Sequence, residues 1–307
     1  MVFPHATGLL ILAVALAPVA AHSQSATPGT VLEEVTVTAS RSPAEQRLDA
    51  AAGGTAIVTS RDLPATTNLT LSRALAGVPG VVVQDFFGAN DQPRVQIRGS
   101  GLQQNPVERG VLMLRNGLPL NRADGSYVVG FADPGAAGAV EVYRGYMANR
   151  LGATVLGGAL NLISPTGHDA PGVELGAGGG SFGQRDLSVR YGHERARFDT
   201  LLHGDFNDRE GYRAYNASRR ASIGGNVGTR VSDTLTVRFF ASFADLAFDV
   251  AGPLTRDALE RNPRSVFTGP TVTPMGAINP GPNVVRDRPY REASQLQAGA
   301  RATQTFG

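Results

Sequence analysis

The chain has 307 residues, a formal net charge of +2 and no cysteine. That balance gives no electrostatic case for nucleic acid, and no disulfide framework can help the fold. All 28 basic residues are arginine, and 38 glycines with 7% aromatics suit a strand-rich chain with many turns.

Residues 1–21 read as a secretory signal peptide. The apolar core Gly8–Ala17 is ten residues long, short of the roughly 20 that a transmembrane helix needs. Val19-Ala20-Ala21 supplies the small residues of a cleavage site, placed after Ala21. The n-region "MVFPH" departs from the pattern in having neither Lys nor Arg. Next comes "EEVTVTASR" at 33–41, where Val and Thr alternate with no partner strand nearby. Such a segment is either an edge strand or a strand offered to another protein's sheet.

Residues 45–165 read as a compact α/β mixture. "GGTAIVTSRDL" gives a strand and turn. "NLTLSRALAGVPGV" gives a short helix with Leu69, Leu71, Ala74, Leu75 and Val78 on one face. "RVQIRGSG", "GVLMLRNGLPL" and "AVEVYRGY" give three short strands closed by glycine-containing turns, and "LGATVLGGALNLIS" adds a last one.

From 172 the pattern changes to period two. In "TLTVRFFASFADL", Leu235, Val237, Phe239, Ala241 and Phe243 share one face, with Thr236, Arg238 and Ser242 on the other. "ARFDTLLHGDFN" and "RDLSVRYGH" repeat the alternation. The spacing predicts strands at 172–181, 184–193, 196–207, 218–229, 234–246 and 295–306. Links of "ERA" and "VSD" alternate with the longer "DREGYRAYN" and a Pro-rich stretch over 247–294. Segments of about ten residues with short and long links in alternation suit an outer-membrane β-barrel. A soluble antiparallel sandwich gives a similar pattern. The histidines at 5, 22, 168, 193 and 203 lack metal-ligand spacing, and no nucleophile–base arrangement stands out. "GGGSFG" at 178–183 is followed by no helix and reads as a hairpin rather than a dinucleotide site.

Five stretches in order resemble the TonB-dependent outer-membrane receptors: "EEVTVTASR", "LSRALAGVPGV", "PRVQIRGSG", "VLMLRNGLPL" and "VEVYRGYMANRLGATVLGGALNLIS". Asn116 stands where that family often has Asp, and Leu151 where it often has Tyr. The resemblance implies an α+β plug domain followed by an all-β antiparallel transmembrane β-barrel. Its domains would be a signal peptide (1–21), a flexible N-terminus (22–44), the plug (45–165) and the first part of the barrel (172–307). The family barrel has 22 strands, and this chain has room for about six, so the resemblance implies an N-terminal fragment.

The same resemblance implies roles. Glu33, Glu34, Val35, Thr36, Val37, Thr38, Ala39 and Ser40 would form the TonB box, pairing with TonB and, through it, with the energised inner membrane. Arg98, Glu141 and Arg144 would be plug–barrel contacts, the arginines meeting wall carboxylates. Phe86, Phe87, Asp91, Gln92, Arg122, Asp124 and Tyr127 would be apical ligand candidates. It implies outer-membrane lipid as surroundings, no cofactor, no catalytic residue, and import of a ferric siderophore-type chelate. Cobalamin, another metal complex, an oligosaccharide or a signalling role are the alternatives.

Overall fold

The computed structural model describes residues 53–63, 69–85, 93–100, 109–152, 157–278 and 282–306. Residues 53–163 build a mixed sheet of β1 (Thr55–Thr59), β4 (Val111–Arg115), β5 (Leu118–Pro119), β6 (Ala139–Arg144) and β7 (Gly158–Ile163). Their order is β1-β6-β7-β4-β5, and only β4 and β7 run parallel. A parallel pair with both faces covered needs unbroken apolar runs rather than alternation. β4, "VLMLR", meets that demand and is buried at every position. One face packs on α1 (Leu71–Leu75) and on the hairpin of β2 (Val81–Gln84) and β3 (Arg94–Ile97). There Leu71, Leu75, Val95 and Ile97 meet Val111, Met113, Val140 and Leu160. Leu112, Leu114 and Ala159 pack with Ala148 on the other face.

The helix is shorter than the apolar spacing predicts. Thr70 caps it, its hydroxyl accepting from Arg73 N at 3.3 Å. The turn at Val78–Gly80 then stops it, yet Val78 still enters the core.

Six strands make the second sheet, all antiparallel: β8 (Gly172–Gly179), β9 (Arg185–Arg195), β10 (Phe198–Arg209), β11 (Ser218–Arg230), β12 (Leu235–Asp249) and β15 (Tyr290–Gln304). The period-two segments are these strands. β15 starts five residues before the sequence expectation, at Tyr290, because β12 also runs on to Asp249 and the two pair there. Tight turns at 196–197 and 231–234 mark one end of the sheet. Connections 180–184, 210–217 and 250–289 mark the other. The longest of these carries α2 (Arg256–Arg261), the hairpin β13 (Thr271–Thr273) with β14 (Gly276–Ile278), and α3 (Val284–Asp287).

The two faces of the six-stranded sheet differ as the alternation predicts. Leu175, Leu187, Val189, Leu202, Phe206, Ile223, Phe239, Phe243 and Leu296 are exposed on the outer face. Asp186, His203, Asn207, Arg220 and Asn226 are buried on the inner face, towards the first domain. A row of bare Leu, Ile and Phe beside a buried polar row is what a lipid-facing strand requires. No helix among the described residues is long and apolar enough to cross a membrane.

Candidate functional site

The site with the densest chemistry lies where the plug meets the inner face of the wall. Arg115 ends β4 and is followed by a two-residue turn of Asn116 (φ 54°) and Gly117 (φ 81°). Both positions are left-handed, which suits Asn-Gly and allows β5 to fold straight back. Asn116 fastens the turn to the end of β7: its Nδ2 donates to Ser164 Oγ at 3.0 Å, and its Oδ1 accepts from Ser164 N at 2.8 Å.

Arg115 then reaches out of the plug. Its Nη1 donates to Ser242 Oγ on β12 at 3.0 Å, and its Nη2 to the Phe131 carbonyl at 2.7 Å. Beside it Asp133 accepts from Arg220 Nη2 on β11 at 2.8 Å, while its other oxygen accepts from Gly135 N at 2.9 Å. Both partners of this ion pair are almost completely buried, at 5% and 7% exposure. Phe131 packs on Ala244, Leu246 and Phe248 of β12, shielding the pair with an apolar patch. Burial lowers the pKa of Arg115 from the usual guanidinium value, with Asp133 opposing. For Asp133, burial pushes the carboxyl up, but the charge and hydrogen bond of Arg220, with the charge of Arg115, hold it below the usual carboxylate value. A plug carboxylate between two guanidinium groups therefore stays ionised.

A second fastening holds the segment that joins plug to wall. Asn226 Nδ2 on β11 donates to the Pro165 carbonyl at 2.9 Å. Gly167 N donates to Asp199 Oδ1 on β10 at 3.1 Å, and Arg238 on β12 grips both Asp199 oxygens, at 2.7 and 2.6 Å. The linker lies close to the wall backbone: a Cβ on Gly167 would sit 2.3 Å from the carbonyl oxygens of His193 and Thr200. Only glycine fits there. Between plug and wall, beside β8 and β9, a space of about 690 Å³ is lined by Ser60, Gly135, Glu174, Asp186, Ser188 and Arg190 among others.

The structure brings together few of the residues that the sequence singles out. The segment 33–40 and Phe86, Phe87, Asp91 and Gln92 lie outside the described residues. Arg122 and Asp124 are exposed on the turn after β5. Asp124 pairs with Arg109 at 3.0 Å and accepts from Ser126, whose hydrogen bonds hold its carboxyl well below the usual range, with Arg109 adding to the effect. Asn121 fixes this turn, accepting from Met113 N at 2.8 Å and donating to the carbonyls of Val111 and Gly125. Tyr127 requires a correction. It is 2% exposed and belongs to the plug core, so its ring packs on apolar neighbours rather than facing a ligand.

The three residues expected at the plug–barrel contact have plug groups as their described partners. Arg144 donates to the carbonyls of Gly54, Pro79 and Thr55, at 3.1, 2.6 and 2.8 Å, tying β6 to β1 and to the turn after α1. Arg98, with φ 51°, lies against Gly54 and Gly145 of the plug. Glu141 is buried and accepts from Asn161 Nδ2 at 2.8 Å and Tyr143 Oη at 3.1 Å. Their partners among the described residues are plug groups. Among the described residues Arg115 and Asp133 are in contact with the wall, and sequence reasoning passed over them. Arg115 closing a run of buried apolar residues is the one signal that could have flagged it.

At the long-connection end of the sheet, three connections are tied together. Arg213 donates to the carbonyls of Ser265, Gly252 and Ala251, at 3.0, 2.7 and 3.1 Å. Arg264 lies over Phe182 and Tyr212, at 6.0 and 5.9 Å, and those two rings meet edge to face at 5.3 Å.

Comparison with known proteins agrees with this architecture. The TonB-dependent receptor plug domain model matches residues 47–159. The vitamin B12 transporter BtuB of Vibrio vulnificus is 28% identical over 181 residues, covering 59% of this chain and 28% of its own. The chain thus spans 28% of the length of that curated relative. Among solved structures, the ferric-catecholate import receptor Fiu of E. coli K12 has a TM-score of 0.58 at 14% identity, covering 82% of this chain and 36% of Fiu. The FrpB iron transporter of Neisseria meningitidis also scores 0.58, at 17% identity, covering 82% and 37%. At such identities the likeness shows a common fold. Residues 47–159 thus match the plug domain of TonB-dependent receptors, and the chain shares the fold of these solved receptors.

Proposed function

We propose that this chain forms the plug and adjoining wall of a receptor that imports a scarce ferric chelate through the outer membrane, driven through TonB. The observation that carries this reading is a folded plug bonded to the polar inner face of a sheet whose outer face is apolar. A plug fastened there closes the passage, so import requires its displacement against buried bonds. The outer membrane lies apart from the energised inner one, and a relay such as TonB supplies the missing work. Residues 33–40 suit that relay, since alternating Thr and Val favour a strand that binds through main-chain hydrogen bonds. In this reading the protein is a transporter and not an enzyme.

The ferric chelate is the reading for two reasons. The turn carrying Arg122 and Asp124, with Arg109 paired to Asp124, follows Leu120, which contacts β15 at Gln295, nearer the long-connection end than the contact of Asn116 with Arg301. Exposed arginines there, with Arg264, Phe182 and Tyr212 on the connections, suit an anionic ligand with flat groups. The two solved relatives above are a ferric-catecholate import receptor and an iron transporter, although the curated relative is a vitamin B12 transporter. Cobalamin is therefore the second reading.

The test deletes the gene and follows uptake of radiolabelled ferric catecholate, ferric hydroxamate, ferric citrate and cobalamin, each with and without TonB. Loss of uptake of one iron chelate, dependent on TonB, is the expected result. Loss of cobalamin uptake alone would replace the substrate, and undiminished uptake of all four would overturn the reading.

A further inference from the structure

The inner row of β15 faces one short stretch of the plug, residues 116–120. Gln295 Nε2 donates to the Leu120 carbonyl at 3.4 Å, and Gln297 Nε2 to those of Leu118 and Pro119, at 3.2 Å each. Arg301 Nη2 donates to the Asn116 carbonyl, and its guanidinium lies over Phe240 at 5.9 Å. The donors ascend along β15 while the acceptors descend along the plug, so the two segments run antiparallel. Side chains on one face of a strand recur about every 7 Å, and so do alternate carbonyls of the facing strand. Position 299 completes the row and is a glycine. A Cβ there would sit 2.2 Å from Leu118 Cδ1, so Leu118 occupies the notch that Gly299 leaves.

These two kinds of contact do different work. The glutamines bond to main-chain carbonyls, and every second residue of the plug offers a similar one. A shift of two residues would therefore restore bonds of the same type, and the glutamines alone leave the register degenerate. Leu118 in the notch at Gly299 removes the degeneracy, because a shifted plug would bring another side chain against the wall there. β5 is also the edge strand of the plug sheet, and an uncovered edge presents unpaired main-chain groups. The row on β15 covers it with side-chain donors in place of another strand.

We propose that Gln295, Gln297, Gly299 and Arg301 form a register key for the plug. The key sets the height of β5 along the wall and returns the plug to a single seat after displacement. These are positioning residues, and the proposal holds whichever substrate is carried.

The chain has no cysteine, so an engineered pair reports the contact without background. In the intact gene product in outer-membrane vesicles, Leu118→Cys with Gly299→Cys should close a disulfide under mild oxidant, visible as a reductant-sensitive mobility change. Neither single variant should show it. In cells, Gly299→Leu should raise entry of a bulky antibiotic normally excluded by the outer membrane about tenfold. Adding Leu118→Ala should bring entry back towards the wild-type level by emptying the clash. Failure of the cysteine pair to close in a heat-modifiable, assembled barrel would overturn the key, as would a double variant no tighter than Gly299→Leu. An assembled Gly299→Leu with wild-type exclusion would overturn it too. Should Gly299→Leu not assemble, the cysteine pair decides alone.

Discussion

Replacing Arg220 by Met tests how the plug is held. The change keeps most of the side-chain volume and removes the charge that meets Asp133 at 2.8 Å, with both groups almost fully buried. A buried ion pair as a whole adds little to stability, because desolvation offsets its attraction, but breaking one by removing a single partner costs about 3–5 kcal/mol. Arg115 lies near enough to lower the Asp133 pKa by its charge, so the expected cost falls at the lower end, about 3 kcal/mol. At 1.36 kcal/mol per factor of ten, that raises the unseated fraction of the plug by roughly two orders of magnitude. Hydrogen exchange of residues 129–144 in outer-membrane vesicles reads this directly. Asp133→Asn should cost a similar amount, since it leaves Arg220 buried and unpaired while keeping an acceptor for Gly135 N. The double variant Asp133→Asn with Arg220→Met should cost clearly less than the two singles together, by at least 1 kcal/mol of coupling. Strictly additive singles would refute the reasoning, because they would mean that the two side chains do not depend on each other.

The pH response of the seat follows from the same carboxylate. The Asp133 pKa is depressed in the folded state, so its contribution is fully present above the ordinary value of 3.8 and lost as pH falls from there through the folded value. Protease protection of the plug should hold at pH 5 and weaken below pH 3.8, and Asp133→Asn should remove that acid dependence. On the wall, Phe239→Arg puts a charge on the exposed apolar row and should cost about 2–4 kcal/mol if it lies at the bilayer midplane, lowering the heat-modifiable fraction. Ser188→Asn, in the inward polar row, is the control and should assemble normally. In the N-terminal segment, Val37→Pro removes a main-chain donor, so ligand should still bind at the cell surface while uptake stops.

Much of the fold was legible because two hydrophobic grammars separate it. Unbroken apolar runs such as Val111–Leu114 mark the buried mixed sheet, whereas alternation as in Phe239, Ala241 and Phe243 marks a sheet with one bare face. Facing was legible for the same reason, since a one-residue error would have put Asp199 and His203 in lipid. The site was much less so. The alternation assigns Arg238 and Ser242 to the inner row, but not the partner either one meets. Ser242 meets Arg115, 127 residues earlier in the chain, and no local spacing encodes a contact of that span. Arg238 donates to Asp199 and Asn226, a pairing that the alternation does not reveal. Tyr127 misled for the opposite reason. It follows "RADGS", a polar turn by composition, but the turn ends at Ser126 and the chain has already dived into the core.

A seat built this way answers two opposing demands. Apolar burial alone would hold the plug without fixing its register, because the hydrophobic effect is non-directional. Hydrogen bonds to main-chain carbonyls add direction, at a net worth of about 1 kcal/mol each, and water entering the interface can replace them one at a time. The wall contacts of this plug are mostly of that kind: Arg190 to Gly135, Asn226 to Pro165, and the glutamines of β15 to residues 118–120. Beside them, among the described residues, stands the buried ion pair of Asp133 with Arg220, whose loss is not compensated by a neutral donor. As a pair it adds little net stability, but it fixes the position of the seat, because a shift that separates the two partners while they stay buried strands both charges.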